Sequence, residues 1–196
     1  QPANNQALID RLQSGKKWAV IDGFRSAKFG MDEKQVLRAI AKDFKISKSK
    51  VERLVTSNEQ VTILIIRIPK MMKLGGPTDI AYGLGYKSKR LMQVFINWGK
   101  GVSDNYSAQE VTYIGNLLRD NFFKKRYKRT GLAFNKSQPD HKRSLILFRG
   151  LDKKGRMIVL RLQSYETKKG DKKHIKLILM YHEKPSKRDI FQRRAK

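Results

Sequence analysis

The densest chemistry in the chain is cationic. Lys124-Lys125-Arg126-Tyr127-Lys128-Arg129 interrupts its run of positive side chains with a single tyrosine. Further clusters follow at Lys153, Lys154 and Arg156, at Lys168, Lys169, Lys172 and Lys173, and at Lys187, Arg188, Arg193, Arg194 and Lys196. Ammonium and guanidinium groups recognise phosphates and carboxylates, the guanidinium through a planar fork. Residues 124–196 hold 24 Lys plus Arg and 6 Asp plus Glu, a local balance of +18, whereas residues 1–123 hold 20 and 11, a balance of +9. A field this strong costs stability through self-repulsion, so it points to an anionic partner. The plain alternatives are dipole complementation at a helix C-terminus and a solvated, lysine-rich surface. Three partners fit: an acidic protein, lipid headgroups or lipopolysaccharide, and nucleic acid. Nucleic acid ranks behind the others. Aromatic residues are sparse there (Tyr127, Phe134, Phe148, Tyr165), and no RRM, KH or helix-turn-helix signature is present.

Other chemistries are weakly supported. The 196 residues include no cysteine, which excludes disulfides, iron–sulfur clusters, Cys-ligated zinc and thiol catalysis. His174 and His182 lie eight residues apart, roughly 26 Å along a strand, too far to share one ion. With His141 they read as surface histidines, and no metal is expected. Gly83 and Gly85, like Gly99 and Gly101, form lone G-x-G fragments without the rest of a phosphate-binding loop. They read as bulge, close-packing or loop positions, and no cofactor is expected. A basic secreted hydrolase or nuclease, with His141 or His174 as base and Lys142 or Arg143 steadying a phosphate, ranks third. No catalytic residue is assigned.

These cations need a scaffold, and the chain patterns one. Asp32 and Gln35 form an acidic capping box, followed by Val36, Leu37, Ile40 and Phe44 at helical spacing, with the helix ending near Lys45. Ser107 and Glu110 form a second box before Val111, Ile114, Leu117, Leu118 and Phe122, in a helix running to about Lys125. Strands are predicted at 60–68, 79–86 and 90–98, then at 145–149, 157–165 and 174–181. The turns at 87–89, 152–155 and 168–171 carry hairpin signals. Residues 1–22 read as a weak helical segment, 49–54 as partly helical, 129–143 as a polar loop and 183–196 as a basic tail. The fold class is therefore α+β: tandem units of one helix and three antiparallel strands, with a helix layer packed on an antiparallel sheet. The expected divisions are an N-terminal segment 1–28, units at 29–101 and 102–182, and a tail 183–196. The longest apolar run, Ile63-Leu64-Ile65-Ile66, is far short of a membrane span.

Phe29-Gly30-Met31-Asp32 with Val36, and later Tyr82-Gly83-Leu84-Gly85 with Arg90, Leu91 and Val94, carry a family likeness. The pattern resembles the small outer-membrane-assembly lipoproteins of the SmpA/OmlA (BamE) type and the tandem β-lactamase-inhibitor-protein-like fold. It covers residues 29–98, with a weaker echo in 107–181. The chain departs from these lipoproteins in lacking the lipid-anchoring cysteine and in being far more basic. The resemblance implies an exported periplasmic or cell-envelope protein that works by binding, with a motif that is structural. The start at Gln1-Pro2-Ala3 is read as a processed N-terminus, with a removed signal peptide or a cleaved tag as the two explanations; the resemblance favours the signal peptide, and a cytoplasmic location follows if the nucleic-acid reading holds. The expected function is a non-catalytic binding or scaffold protein, recognising its partner through Lys124, Lys125, Arg126, Lys128, Arg129 and the hairpin and tail cations.

Overall fold

Both helices start where the sequence supplies their caps. In the computed structural model, which describes residues 7, 9–11, 13–72, 75–137, 143–165 and 174–192, α1 spans Glu33–Phe44 and α2 spans Ala108–Phe122. The Asp32 carboxylate accepts from the Gln35 amide, and the Gln35 side chain accepts from the Asp32 amide. Ser107 and Glu110 repeat this exchange. Each box satisfies two amides that the first helical turn leaves without partners, a contribution of about 1 kcal/mol. Helix α1 ends at Lys45, whose left-handed φ of 58° turns the chain out.

The strands are β1 (Gly23–Phe24), β2 (Ala27–Lys28), β3 (Glu52–Val55), β4 (Thr62–Ile68), β5 (Thr78–Leu84), β6 (Leu91–Gly99), β7 (Ala133–Ser137), β8 (Ser144–Leu151), β9 (Met157–Tyr165) and β10 (His174–His182). β1 and β2 form a small ribbon. The other eight make one antiparallel sheet in the order β3-β4-β5-β6-β10-β9-β8-β7. The fold is thus α+β, with few helices and one large antiparallel sheet. Each helix is followed by a four-strand meander, and the two meanders join at β6 and β10, with Met180 opposite Phe95.

One sheet face is covered. Val36 and Ile40 of α1 and Val111 and Ile114 of α2 share a core with Leu64, Ile66, Ile80, Tyr82, Ile96, Trp98, Phe148, Leu160, Leu177 and Leu179. The side chains of Trp98, Tyr82 and Phe148 are its largest fully buried members. Burying each such side chain contributes about 1.5–3 kcal/mol. The opposite face holds a second, smaller cluster of Val159, Ile178 and Met180 with Phe95 and Met157, all from strands.

The Phe29–Asp32 motif ties the first helix to this sheet. Gly30 donates to the Leu91 carbonyl and Leu91 donates back to Met31, at 2.9 and 2.8 Å. Gly30 has φ +86°, a conformation that side chains rarely adopt. The Met31 sulfur accepts from the Lys28 amide, and Arg90 reaches Asp32 at 3.6 Å. A bulge falls between Gly83 and Leu84, where Gln93 crosses Gly83 so closely that a Cβ there would sit 2.6 Å from it.

The structure corrects several expectations. The three-strand units gain a fourth strand each: β3 replaces the helix expected at 49–54, apart from one turn at 48–50, and β7 lies inside the expected loop 129–143. Both are edge strands, with mostly exposed residues and no apolar alternation to signal them. The second helix stops at Phe122 rather than Lys125. Residues 18–21 are not helical; Trp18 bridges to Arg126, and buried Ala19 and Ile21 alternate with exposed Val20. Residues 183–192 are not a loose tail. They cross the β5–β6 turn, where Asp189 accepts from the Lys87 and Ser88 amides, Arg188 forks onto Glu59, and Phe191 stacks edge-on against Tyr86.

Candidate anionic-partner interface

The cationic run after α2 is held by its one tyrosine. Tyr127 is buried against Phe148, with ring centroids 5.0 Å apart, and presses on Gly150, where a Cβ would sit 2.5 Å from the ring. Its amide donates to the buried Gln13 side chain at 2.7 Å. Arg126 donates to the Lys17 carbonyl and accepts from Ala19, and Lys128 donates to Leu151. The backbone is therefore tied on both sides while Lys124, Lys125, Arg126 and Arg129 remain exposed.

The β8–β9 turn meets this run at Trp18. The Arg126 guanidinium lies 4.7 Å from the Trp18 ring centroid, and the Lys153 ammonium lies 5.2 Å from it. Cations attracted to an indole face contribute about 0.5–1 kcal/mol at exposed sites. Trp18 thus joins two clusters that are far apart in sequence. An open groove of about 630 Å³ runs beside it, lined by Asp10, Ser14, Trp18, Arg126, Lys128 and Arg129.

Asp152 builds the turn. It is 1% exposed and accepts from the amides of Ile21, Lys154 and Arg156 and from the Arg156 side chain. Burial pushes its carboxyl up, but the hydrogen bonds from Ile21 and Arg156 outweigh this and hold it below the usual aspartate value. The same turn projects Lys153 and Lys154 outward, both exposed.

The predicted cations therefore separate. Arg126 and Lys153 meet the Trp18 ring, Lys128 and Arg129 line the groove beside it, and Lys124, Lys125 and Lys154 are exposed on the same two segments. Arg156 is spent on Asp152, at 2.7 Å with little side-chain exposure, and Arg129 pairs with Asp10 at 2.9 Å. Lys168, Lys169, Lys172, Lys173, Arg193 and Arg194, together with His141 and Lys142, lie outside the described residues. The docked segment contributes Lys184 and Lys187 to another groove of about 740 Å³, shared with Lys87 and Arg90. Sequence reasoning placed Trp18 only within the weak helical segment 1–22 and gave it no binding role; no local signal links it to Arg126 and Lys153.

Among the described residues no group of three His, Asp or Glu side chains could hold an ion. His174 and His182 stand at opposite ends of β10. Burial and the Arg188 charge push the His182 pKa down to about 4, so this imidazole is neutral at pH 7. Among the described residues no helix is long and apolar enough to cross a membrane. No family model, curated protein or solved structure matches the chain.

Proposed function

We propose that this protein is a non-catalytic binding or scaffold protein of the cell envelope that docks on an anionic partner through the surface around Trp18. The observation that carries this reading is the convergence of Arg126 and Lys153 on one indole ring, with Lys128 lining the groove beside it and Lys124, Lys125 and Lys154 exposed on the same segments. Two backbone segments are fixed so that their cations stand in one field. A fixed cluster loses less side-chain entropy on binding than scattered lysines do, and it steers an acidic partner during encounter. The envelope location rests on the resemblance carried by Phe29-Gly30-Met31-Asp32 and the Tyr82–Val94 hairpin, and on no other observation.

The test is a variant in which Lys124, Lys125, Arg126, Lys128 and Arg129 all become Gln. Sedimentation with lipopolysaccharide or with vesicles carrying anionic lipid should fall sharply relative to the unaltered chain, because each nearby cation contributes about 1 kcal/mol at such a surface. Equal sedimentation of the two proteins refutes the site. Binding of mixed RNA and DNA at low salt, with log affinity falling linearly in log salt, would replace this reading with the nucleic-acid one.

A further inference from the structure

The sheet face turned away from both helices carries a second charge pattern, separate from the Trp18 surface. Strand register settles which residues share it. One row across the strands is Lys136, Ile146, Arg161, Ile178 and Asn97; the next is Arg149, Val159, Met180 and Phe95; a third is Ser144, Gln163, Lys176 and Gly99. Every Lys and Arg of β7–β10, namely Lys136, Arg149, Arg161 and Lys176, stands on this face. These four strands contain no Asp or Glu at all. The cations flank an apolar centre in which Val159, Ile178 and Met180 are 7–8% exposed.

Arg161 is the unusual member. Its neighbours across the ladder are Ile146 and Ile178. Its Nε is sealed from solvent without a hydrogen-bond partner, and among the described residues no carboxylate pairs with it. Burial alone pushes its pKa below the ordinary arginine value. The residue as a whole is half-buried, so the sealed and unmatched Nε is the cost: an unsatisfied buried donor destabilises a fold, and a methionine of similar length would pack there without that penalty. Such a local violation of the packing rules is expected at functional sites.

We propose that this face of β8, β9 and β10 is a docking surface for an acidic polypeptide segment that carries apolar side chains. Carboxylates of the segment pair with Arg161, Lys176 and the terminal nitrogens of Arg149, whose Nε already donates to the Gly131 carbonyl at 2.9 Å, and its apolar side chains meet Phe95 and Met157, the half-buried rim of the apolar centre. A guanidinium pairs with carboxylate through two parallel hydrogen bonds, which fixes register as well as charge. Single-stranded nucleic acid is a poorer fit, because stacking needs exposed aromatic faces. The centre offers one such ring, Phe95, and His182 already meets it at 5.6 Å in an edge-on contact. A second copy of this chain is disfavoured by its +27 charge. The inference does not depend on the Trp18 surface.

The experiment uses the full chain and three labelled probes in fluorescence anisotropy: a twelve-residue peptide of alternating Glu and Leu, the same peptide with Lys for Glu, and a twelve-residue oligothymidylate. The acidic peptide should bind saturably and the lysine peptide should not. Arg161→Met should weaken the acidic peptide by about tenfold or more. Lys176→Gln, a substitution away from the packed centre, should weaken it severalfold. The five-Gln variant at 124–129 should bind it within about twofold of the unaltered chain, which separates failure here from failure of the Trp18 reading. Arg161→Met should also melt at the same temperature or about 2–4 °C higher, as expected when an unpartnered charge is removed. Unchanged peptide affinity in both variants overturns the proposal. So does a lowered melting temperature in Arg161→Met, which makes the arginine structural. Preference for the oligothymidylate, or self-association abolished by Arg161→Met, overturns it in favour of nucleic acid or a dimer.

Discussion

On the β3–β6 side of the face turned away from the helices, Arg67 meets Asp79 through two hydrogen bonds of 2.6 and 2.7 Å, and Glu52 stands on the neighbouring strand β3. On the β7–β10 side, Lys136, Arg149, Arg161 and Lys176 face no carboxylate from their own strands. The two sides have the same architecture, four antiparallel strands following a capped helix. One side has an ion pair across its own strands, and the strands of the other carry cations alone. The loops show the same division. Asp189 closes the β5–β6 turn from a distant segment, whereas Asp152 closes the β8–β9 turn from within and leaves Lys153 and Lys154 outward. Scaffold and charge are therefore separable, and substitutions on the two sides should behave differently.

The largest effect is expected at Asp152. Replacing it with Asn leaves Arg156 without its carboxylate in a nearly buried site, which should cost about 3 kcal/mol in urea unfolding. An aspartate held below its ordinary value contributes stability that is present above the unfolded value of ~3.9 and lost as pH falls through the folded one. The unaltered chain should therefore lose stability below about pH 4, and Asp152→Asn should lose less over that window; parallel acid curves would refute the assignment. Next comes Gly150→Ala, which drives a methyl into the Tyr127 ring and should cost about 2 kcal/mol by overpacking. Its counterpart on the other side, Gly85→Ala, meets the Asp189 carboxylate at 2.2 Å. That carboxylate sits on a segment that can lift, so the loss should be about 1 kcal/mol, accompanied by faster tryptic cleavage at Lys187 or Arg188. Cleavage at the unaltered rate would show that the segment is not held by Asp189. Arg67→Ala removes an exposed pair and should cost about 0.5 kcal/mol in thermal unfolding, the opposite sign from Arg161→Met. The smallest effect is electrostatic. Raising salt from ~0.01 to ~0.15 M shortens the screening length from ~30 to ~8 Å. Amide protection should then rise more in β8 and β9 than in β4 and β5, because self-repulsion is concentrated there. Equal changes would dissolve the contrast between the two sides.

Several elements were legible in the sequence for local reasons. A capping box is a contact between residues three apart, so Asp32 with Gln35 and Ser107 with Glu110 announced both helices to within a few residues. The six predicted strands showed as short runs rich in Val, Ile and Leu, several of them unbroken, bounded by turn residues. The edge strands β3 and β7 escaped detection because solvent on both faces removes the alternation that marks a strand. Segment 183–192 looked like a tail because its partners, Glu59, Tyr86, Lys87 and Ser88, lie about a hundred residues away, and no composition rule reaches that far.

The same division holds for the cations. Their number and their excess after residue 123 belong to the sequence alone, since formal charge is additive along a chain. Which of them stand together is decided by pairing between distant strands. Lys136, Arg149, Arg161 and Lys176 share a face only because β7, β8, β9 and β10 align in one register, and a slip of one residue would send any of them into the core. Trp18 meets Arg126 and Lys153 only because a short parallel bridge brings residue 18 to the end of α2. Net charge records how many cations there are, and tertiary contacts alone decide which are already paired and which remain to be matched by a partner.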